Sequence, residues 1–376
     1  MSAIDLPWNL EHLQTAPSWS WWGDAEADGL RGLTYANETY RGRSSKVFAW
    51  YGRPNEVREP VPAMVLVHGG GGKAFAEWVR LWTAKGYAAL AMDLGGCGPD
   101  GQRLPDGGPG QDHDRKFMCM QEPPDSHWCF HALAAVVRAN SLLRSFPEID
   151  PARVGVTGIS WGGFLTCLAA GLDPRFALAM PVYGCGFIHE NSSVDWLAIF
   201  AKLPAELRER WVRWYDPSSH LSAARLPMLF VNGTNDFAYP LDSYMKTFGL
   251  PAGQKHLSVR VRMPHGHEHG WAPSELARFA DRHLRGGHAL TEFGPLERRG
   301  ERGFVPVRAA SQARSPQFHF TSDAQAWQSR HWHSLPAALC DGVLTTPPIP
   351  AEARAWFCTL EEPDGSSQST AVAIAP

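Results

Sequence analysis

The chain has 376 residues, a formal net charge of −3, 44% hydrophobic and 19% charged residues. This length and composition predict a globular protein with one large domain and a smaller one. The weak charge argues against nucleic acid or an anionic membrane as a partner, and no apolar run approaches the ~18 residues of a membrane span.

The cysteines and the N-terminal residues predict the cellular compartment of the protein. The seven cysteines are odd in number and contain no C-x-x-C pair, which predicts free thiols in a reducing environment. Residues 1–7 lack a basic segment followed by an apolar one, so no signal peptide is visible. We expect a cytoplasmic protein, with an exported form trimmed before expression left open.

The first part of the chain predicts the start of a parallel sheet. Residues 1–44 hold several tryptophans among polar residues and are interpreted as an extension packed on the core. Strands are predicted at 45–51 (an edge strand), 62–68 and 87–92, with a helix at 74–85. The stretch 94–125 is rich in Gly and Pro and long for a connection, and we expect it to form one wall of a substrate cleft.

The strands and helices continue to alternate up to residue 287. Strands are predicted at 153–157, 176–182, 227–232 and 256–263, and helices at 126–146, 164–172, 243–248 and 273–284. A helical insertion at 190–216 would act as a partial lid. The alternation predicts an α/β fold, a three-layer and mostly parallel sheet over residues 45–287. Residues 288–304 are interpreted as a linker and residues 305–376 as a small β-sandwich.

A sharp turn at Gly158–Gly163 is the strongest motif. It joins a β-branched strand to an apolar helix and has the form G-x-S-x-G, with Ser160 at its centre. A serine on such a turn is lifted clear of the sheet, where its hydroxyl can act as a nucleophile. The backbone N–H of Trp161 would then point toward an oxyanion. The alternative is a chance match in a Gly-rich chain.

A serine nucleophile needs a base, and the base needs an orienting acid. In this fold the chain order is serine, acid, histidine. Asp236 fits the acid because it follows a predicted strand in a turn, and Asp242 is the weaker alternative.

The base should follow the last strand, where three histidines alternate. We prefer His267, with His265 next and His269 third. The three could instead converge on zinc, but catalytic zinc ligands usually lie on regular structure, and here a Gly-containing loop is expected. The sequence therefore predicts no metal and no cofactor.

The run His68–Gly72 would complete an oxyanion hole. Its glycines let a backbone N–H approach a substrate oxygen, and Gly70 or Gly71 is the expected donor beside Trp161. A phosphate-binding loop is disfavoured because Lys73 is followed by Ala74 and not by Ser or Thr.

Together these motifs resemble the acetyl xylan esterase branch of the α/β-hydrolases, which is related to the dienelactone hydrolases and the prolyl oligopeptidase catalytic domain. The resemblance spans roughly residues 45–285 and implies a serine esterase with Ser160, Asp236 and His267 as its triad. The chain has Ser where dienelactone hydrolases use Cys, and it lacks a propeller-sized N-terminal domain. The tail resembles an immunoglobulin-like module.

The expected substrate is a small-molecule or oligosaccharide ester. Tyr183, His265 and Trp271 are the predicted substrate-binding residues, and the Trp161 ring is either a floor for a sugar or part of the core. A serine peptidase and a non-catalytic carbohydrate-binding protein are the competing functions. The oligomeric state is not predicted.

Overall fold

A nine-stranded sheet forms the centre of the computed structural model, which describes residues 6–27, 29–55, 59–308 and 314–375. The strand order is β1-β2-β3-β5-β4-β6-β7-β8-β9, antiparallel from β1 to β5 and parallel from β5 to β9. The strands are β1 Trp19–Ala27, β2 Leu30–Ala36, β3 Lys46–Gly52, β4 Val61–Val67, β5 Ala88–Met92, β6 Ile149–Ile159, β7 Leu178–Val182, β8 Met228–Gly233 and β9 Lys255–Arg260.

The antiparallel part of the sheet differs from the expectation for residues 1–44. Two strands of that segment, β1 and β2, extend the sheet, so that β3 lies inside it and not at its edge. The register between β1 and β2 shifts between Trp21 and Glu26. Such an irregularity breaks the alternation of side chains by which a strand is recognised in a sequence.

Helices cover both faces of the sheet. They are α1 Leu10–Leu13, α2 Ala76–Thr83, α3 Trp128–Leu143, α4 Trp161–Leu172, α5 Val194–Lys202, α6 Ala205–Tyr215, α7 Leu241–Gly249, α8 His267–Trp271 and α9 Ser274–Arg285. Every residue of α3 is buried, as its almost continuous apolar sequence requires. Within the described ranges, no helix combines the length and apolar character needed to cross a membrane.

The stretch 94–125 contains local structure of its own. A π-helical turn spans Asp114–Met118, and a 3-10 turn spans Pro124–Ser126. Further 3-10 turns lie at Pro217–Ser219, Leu221–Ala223 and Trp327–Ser329. The predicted insertion at 190–216 forms the two helices α5 and α6.

Two antiparallel sheets follow α9. Their strands are β10 Glu292–Phe293, β11 Glu297–Arg299, β12 Arg302–Arg308, β13 Arg314–Thr321, β14 His333–Pro336, β15 Ala338–Cys340, β16 Val343–Thr345, β17 Ala355–Glu361, β18 Ser367–Ser369 and β19 Ala373–Ile374. One sheet has the order β10-β12-β16-β15 with β11 on β12, and the other β14-β13-β17-β18 with β19 on β17. Residues 288–304, expected to be a linker, thus supply β10, β11 and the start of β12.

The C-terminal sheets contact each other and the main core. Val305 and Leu344 of one sheet share a buried cluster with Phe318 and Trp356 of the other. Phe357, on the opposite face of its strand, belongs to the main hydrophobic core. The whole is a mixed α/β fold in which the C-terminal region packs on the nine-stranded sheet.

Asn235 makes one of the polar contacts between these regions. Its Nδ2 donates to the carbonyl oxygens of Trp327, Gln328 and Arg330 at 3.3, 3.2 and 2.7 Å. Because Asn235 immediately precedes Asp236, a turn of the C-terminal region is tied to the turn that carries the predicted acid.

Candidate active site

Ser160 lies at the end of β6 in a strained conformation. Its φ of 59° and ψ of −118° place a non-glycine residue in the left-handed half of the map. The Ser160 N–H donates to the Val182 carbonyl at 2.9 Å, which fixes the turn to β7. Two glycines permit the turn: a Cβ on Gly162 would lie 1.8 Å from the Val67 oxygen, and one on Gly158 2.1 Å from the Gly162 oxygen.

Backbone amides surround the serine. Helix α4 begins at Trp161, directly after Ser160. Across the sheet, Gly70 and Gly71 follow β4, and Gly71 has a φ of +67°. Within the part of the chain that the structure describes, the N–H groups of Gly70, Gly71 and Trp161 donate to no protein acceptor. They are therefore available to an oxygen of a bound substrate.

Asp236 pairs with His265. Its Oδ2 is 2.6 Å from His265 Nδ1, and its Oδ1 accepts from the N–H groups of Ala238 and Tyr239 at 2.9 and 2.8 Å. The carboxylate side chain is fully buried. Both carboxylate oxygens thus have partners, and the imidazole has a fixed orientation with Nε2 left for another group.

Aromatic rings hold His265 in place. Tyr183 stacks on the imidazole with centroids 4.4 Å apart, and Phe237 lies at 4.8 Å. Tyr183 is fully buried and its hydroxyl donates to the Pro264 carbonyl at 2.8 Å. Two residues predicted to bind substrate therefore have other positions: His265 is paired with the acid, and Tyr183 lies beneath it.

His267, the histidine preferred from the sequence as the base, has a different partner. Its Nε2 accepts a hydrogen bond from the Gly69 N–H at 2.9 Å. This uses the nitrogen lone pair that a base would need, and no carboxylate of the described residues bonds to the ring. The structure therefore pairs Asp236 with His265 and assigns His267 to the glycine loop.

His68 supports the same loop from inside. Its Nε2 accepts from the Leu94 N–H at 2.9 Å, so Nδ1 carries the proton and donates to the Gly69 carbonyl at 2.7 Å. A Cβ on Gly72 would lie 2.7 Å from His68 Nδ1 and 2.8 Å from His267 Nε2. The loop thus needs glycine at this position to fit between the two imidazoles.

Both histidines that bond to Gly69, His68 and His267, are held neutral. Burial lowers the pKa of His68 to about 4, and the Lys116 ammonium acts in the same direction. Burial also lowers the pKa of His267 to about 4, with further lowering by His68 and His265. A neutral imidazole is what the observed bonds require, because each Nε2 accepts from a backbone N–H.

The two tryptophans expected at the floor of the cleft lie in separate clusters. Trp161 is 3% exposed and packs against Phe117 and Trp196. Trp271 is half-buried and packs against Phe75 and Trp78. The Trp161 ring therefore has almost no surface to offer a sugar, and the packing role is the one that the structure supports.

The alternating histidines have separate environments, and two of them, His267 and His269, lie on α8 and not in the loop expected from the sequence. His265 bonds to Asp236, His267 bonds to Gly69, and His269 is exposed. Among the described residues, no group of three His, Cys, Asp or Glu side chains is arranged to hold a metal ion. Their spacing in the sequence does not bring them to a common centre.

Two site residues carry no signal in the sequence. The hydroxyl of Tyr239 is buried beside the Ser160 hydroxyl. Burial raises the pKa of this phenol well above its usual value, and the nearby Ser160 hydroxyl opposes the rise. Lys116 places its ammonium beside the Gly70 turn. Both depend on contacts that are distant along the chain.

Comparison with known proteins gives one family and several related folds. Residues 28–225, slightly more than half of the chain, match the family described as acetyl xylan esterase (AXE1). The solved acetyl xylan esterase from Paenibacillus sp. R4 has a similar fold, with a TM-score of 0.57 at 23% identity, over 73% of this chain and 92% of that chain.

Two curated proteins match part of the sequence. Acetyl esterase Axe7A of Xylanibacter ruminicola is 27% identical over 138 residues, 35% of this chain and 31% of that protein. The uncharacterized peptidase YuxL of Bacillus subtilis (strain 168) is 24% identical over 218 residues, 54% of this chain and 30% of that protein. The chain spans about a third of the length of the curated relatives it matches.

Proposed function

Because the chain belongs to the acetyl xylan esterase family, we propose that it is a serine carboxylic ester hydrolase that removes acetyl groups from acylated carbohydrate. The observation that carries the proposal is the arrangement at one edge of the sheet. A strained serine, three unused amides and a buried Asp236–His265 pair follow β4, β6, β8 and β9 at their carboxyl ends.

The first chemical step follows from these positions. Ser160 Oγ attacks the acyl carbonyl carbon while His265 Nε2 takes the hydroxyl proton. Asp236 holds the imidazole in the tautomer with a proton on Nδ1 and stabilises the imidazolium that forms. The structure has no hydrogen bond between Ser160 Oγ and His265, as is common before substrate binds.

The carbonyl oxygen becomes an oxyanion in the tetrahedral intermediate. The N–H groups of Trp161 and of Gly70 or Gly71 would donate to it, and each such donor typically contributes about 3 kcal/mol. His265 then gives its proton to the leaving sugar oxygen. A water molecule, activated in turn by His265, releases acetate from Ser160 and restores the enzyme.

Substrate hydrolysis by the Ser160→Ala variant tests the proposal. We expect the wild-type protein to hydrolyse p-nitrophenyl acetate and to release acetate from acetylated xylo-oligosaccharides. The variant should lose on the order of 10⁶ in kcat because no other group supplies the attacking oxygen. A fluorophosphonate should label Ser160 alone. Near wild-type turnover by the variant would remove the whole scheme.

A serine peptidase is the second candidate, because the peptidase YuxL matches 54% of the chain. The same triad can cleave an amide if the leaving amine is protonated. Hydrolysis of an aminoacyl-anilide at a higher kcat/KM than p-nitrophenyl acetate would favour it. Carbohydrate binding without turnover would favour a non-catalytic protein.

We also propose that residues 305–376 form the immunoglobulin-like β-sandwich expected from the sequence. The support is the buried cluster that joins its two antiparallel sheets. A limited-proteolysis map tests it, since cleavage inside β12 or β17 under native conditions would contradict a packed sandwich.

A further inference from the structure

A buried ammonium group lies beside the predicted oxyanion hole. Lys116 is 4% exposed and belongs to the π-helical turn Asp114–Met118. Its carbonyl oxygen accepts from Trp211 Nε1 at 2.7 Å, which fixes the turn to α6. The backbone from which the Lys116 side chain extends is therefore anchored to α6.

The position of Nζ is set by two rings and a glycine. It lies 4.9 Å from the centroid of the Trp128 ring and 4.8 Å from that of Trp161. A Cβ built on Gly70 would lie 3.9 Å from it. The charge thus reaches the turn whose N–H is expected to bind the ester oxygen.

Within the described part of the chain, this charge has no carboxylate as a direct partner. Among the described residues, no hydrogen bond or ion pair involves Lys116 Nζ. Buried lysines are almost always paired, because an unpaired ammonium loses its hydration without compensation. The indole faces compensate only in part.

Among the groups that act on the pKa of Lys116, Asp112 supplies a negative charge that partly opposes the effect of burial, but it forms no ion pair with the ammonium. His68 is neutral. Burial raises the pKa of the Cys129 thiol far above neutral pH, so the thiol carries no charge. Asp112 is exposed and caps its own turn through the Arg115 N–H. Burial lowers the pKa of Lys116 to about 8, so the amine is largely protonated at neutral pH.

We propose that Lys116 binds a carboxylate of the substrate close to the scissile ester, so that the enzyme prefers acidic esters to neutral ones. The inference rests on the proposed function and specifies its substrate class. The carboxylate could belong to the sugar, as in a uronic acid, or to the acyl chain, as in a dicarboxylic half-ester. Lysine serves either source because it recognises anions as a point charge.

The test compares matched esters with the wild-type protein and Lys116→Met, which keeps the alkyl stem and removes the charge. The substrates are monoacetylated methyl glucuronide and methyl glucoside, and the p-nitrophenyl esters of succinic and acetic acid. For the acidic member of at least one pair, we expect the wild-type protein to have the higher kcat/KM. The variant should lose about 10- to 100-fold there through KM, the range of one charge-assisted hydrogen bond.

The two pairs of esters also show whether the bound carboxylate belongs to the sugar or to the acyl chain. Selectivity within the sugar pair alone assigns the carboxylate to the sugar, and selectivity within the p-nitrophenyl pair alone assigns it to the acyl chain. Lys73→Met is the matched control, because it removes an exposed lysine after the same glycine run. It should leave both preferences unchanged.

Two results would overturn the inference. An equal fall of kcat on neutral and acidic esters would show that Lys116 supports the oxyanion, and the absence of any preference in the wild-type protein would show that no anion binds there. If Lys116→Met fails to fold, competitive inhibition of the wild-type protein by glucuronate but not by glucose, or by succinate but not by succinamide, replaces it. Absence of such a difference in both pairs of inhibitors would then refute the site.

The experiment separates this inference from the function on which it rests. Failure of the wild-type protein to hydrolyse any of the four esters would contradict the proposed function. Thermal unfolding with glucuronate or glucose would still report on the site, since only the carboxylate should raise Tm, and only when Lys116 is present. Hydrolysis of all four esters without selectivity would contradict the inference alone.

Discussion

His265 and His267 are two residues apart and use their ring nitrogens in opposite ways. His265 presents Nδ1 to a buried carboxylate, whereas His267 presents Nε2 to a backbone N–H. The first arrangement leaves a basic nitrogen oriented toward the site, and the second uses it. In the proposed mechanism His265 therefore acts as the base, whereas His267 supports the glycine loop of the proposed oxyanion hole.

We therefore expect His265→Ala and His267→Ala to differ strongly. Loss of His265 should lower kcat for p-nitrophenyl acetate by ~10⁴-fold or more, because the serine loses its base. Loss of His267 should cost roughly 10-fold, since the loop loses one hydrogen bond but keeps its amides. Steady-state kinetics on both variants, with thermal unfolding as a check of folding, decides the ranking. A larger loss of kcat in His267→Ala than in His265→Ala would identify His267 as the base.

The choice between these histidines shows where prediction from sequence stops. Ser160 and Asp236 follow strands whose order fixes their place at the sheet edge, so local patterns locate both candidates. The histidines lie within five residues of one another, His265 before α8 and His267 and His269 on it, and they differ mainly in their three-dimensional neighbours. Neither spacing nor composition records that Tyr183 stacks on one of them and Gly69 donates to the other.

At the scale of elements, helices α4 and α5 meet through large aromatic rings. Trp161 of α4 lies 4.9 Å from Trp196 of α5 and 5.6 Å from Phe117 of the π-helical turn. These contacts hold α5 and the π-helical turn against the helix that begins directly after Ser160. The core role of Trp161 thus links three segments that are far apart in sequence.

Trp161→Ala should therefore act mainly on stability. Removing a large buried ring lowers the free energy of unfolding by roughly 3–5 kcal/mol, which lowers Tm by several degrees. The oxyanion donor is a backbone N–H, so folded protein should keep most of its kcat on p-nitrophenyl acetate. Scanning calorimetry measures the first effect, with Trp271→Ala as the half-buried comparison. An unchanged Tm with a raised KM for sugar esters would restore the substrate-floor role.

The elements that the sequence predicted best are those with a strong local pattern. The parallel strands and the helices of residues 45–287 are confirmed, as is the family resemblance carried by their motifs. The strands missed by the prediction are β1, β2, β10 and β11. They are irregular, short or polar, and pairing with distant strands stabilises them more than local preference does.

The whole molecule buries many histidines in neutral form. Burial lowers the pKa values of His68, His267, His283 and His319 to about 4. Between pH 4 and 6.5 the unfolded chain binds these protons and the folded chain does not, so stability falls as the pH falls. Asp93 opposes the trend, because burial raises its pKa to about 6 and it gains a proton in the folded state.

Four histidines destabilise the folded protein on acidification, and Asp93 alone of the groups named here stabilises it. We therefore expect Tm to fall steadily between pH 6.5 and pH 4. His319→Gln should make the fall shallower, since this ring lies in the C-terminal sheet between Ser334 and Thr359, away from the active site. Thermal unfolding of both proteins at several pH values provides the measurement. A Tm that is constant or rises on acidification would contradict the prediction, as would identical slopes for the two proteins.

The amide of Asn235 makes the link between the two regions sensitive to a change at a single side chain. Two N–H hydrogens of one side chain serve three carbonyl oxygens of the C-terminal turn. Deamidation to aspartate would replace those donors with acceptors and direct a negative charge at the same three oxygens. The turn would be repelled and the neighbouring Asp236 loosened. Loss of this one amide group would thus break a polar link between the C-terminal turn and the turn that carries Asp236.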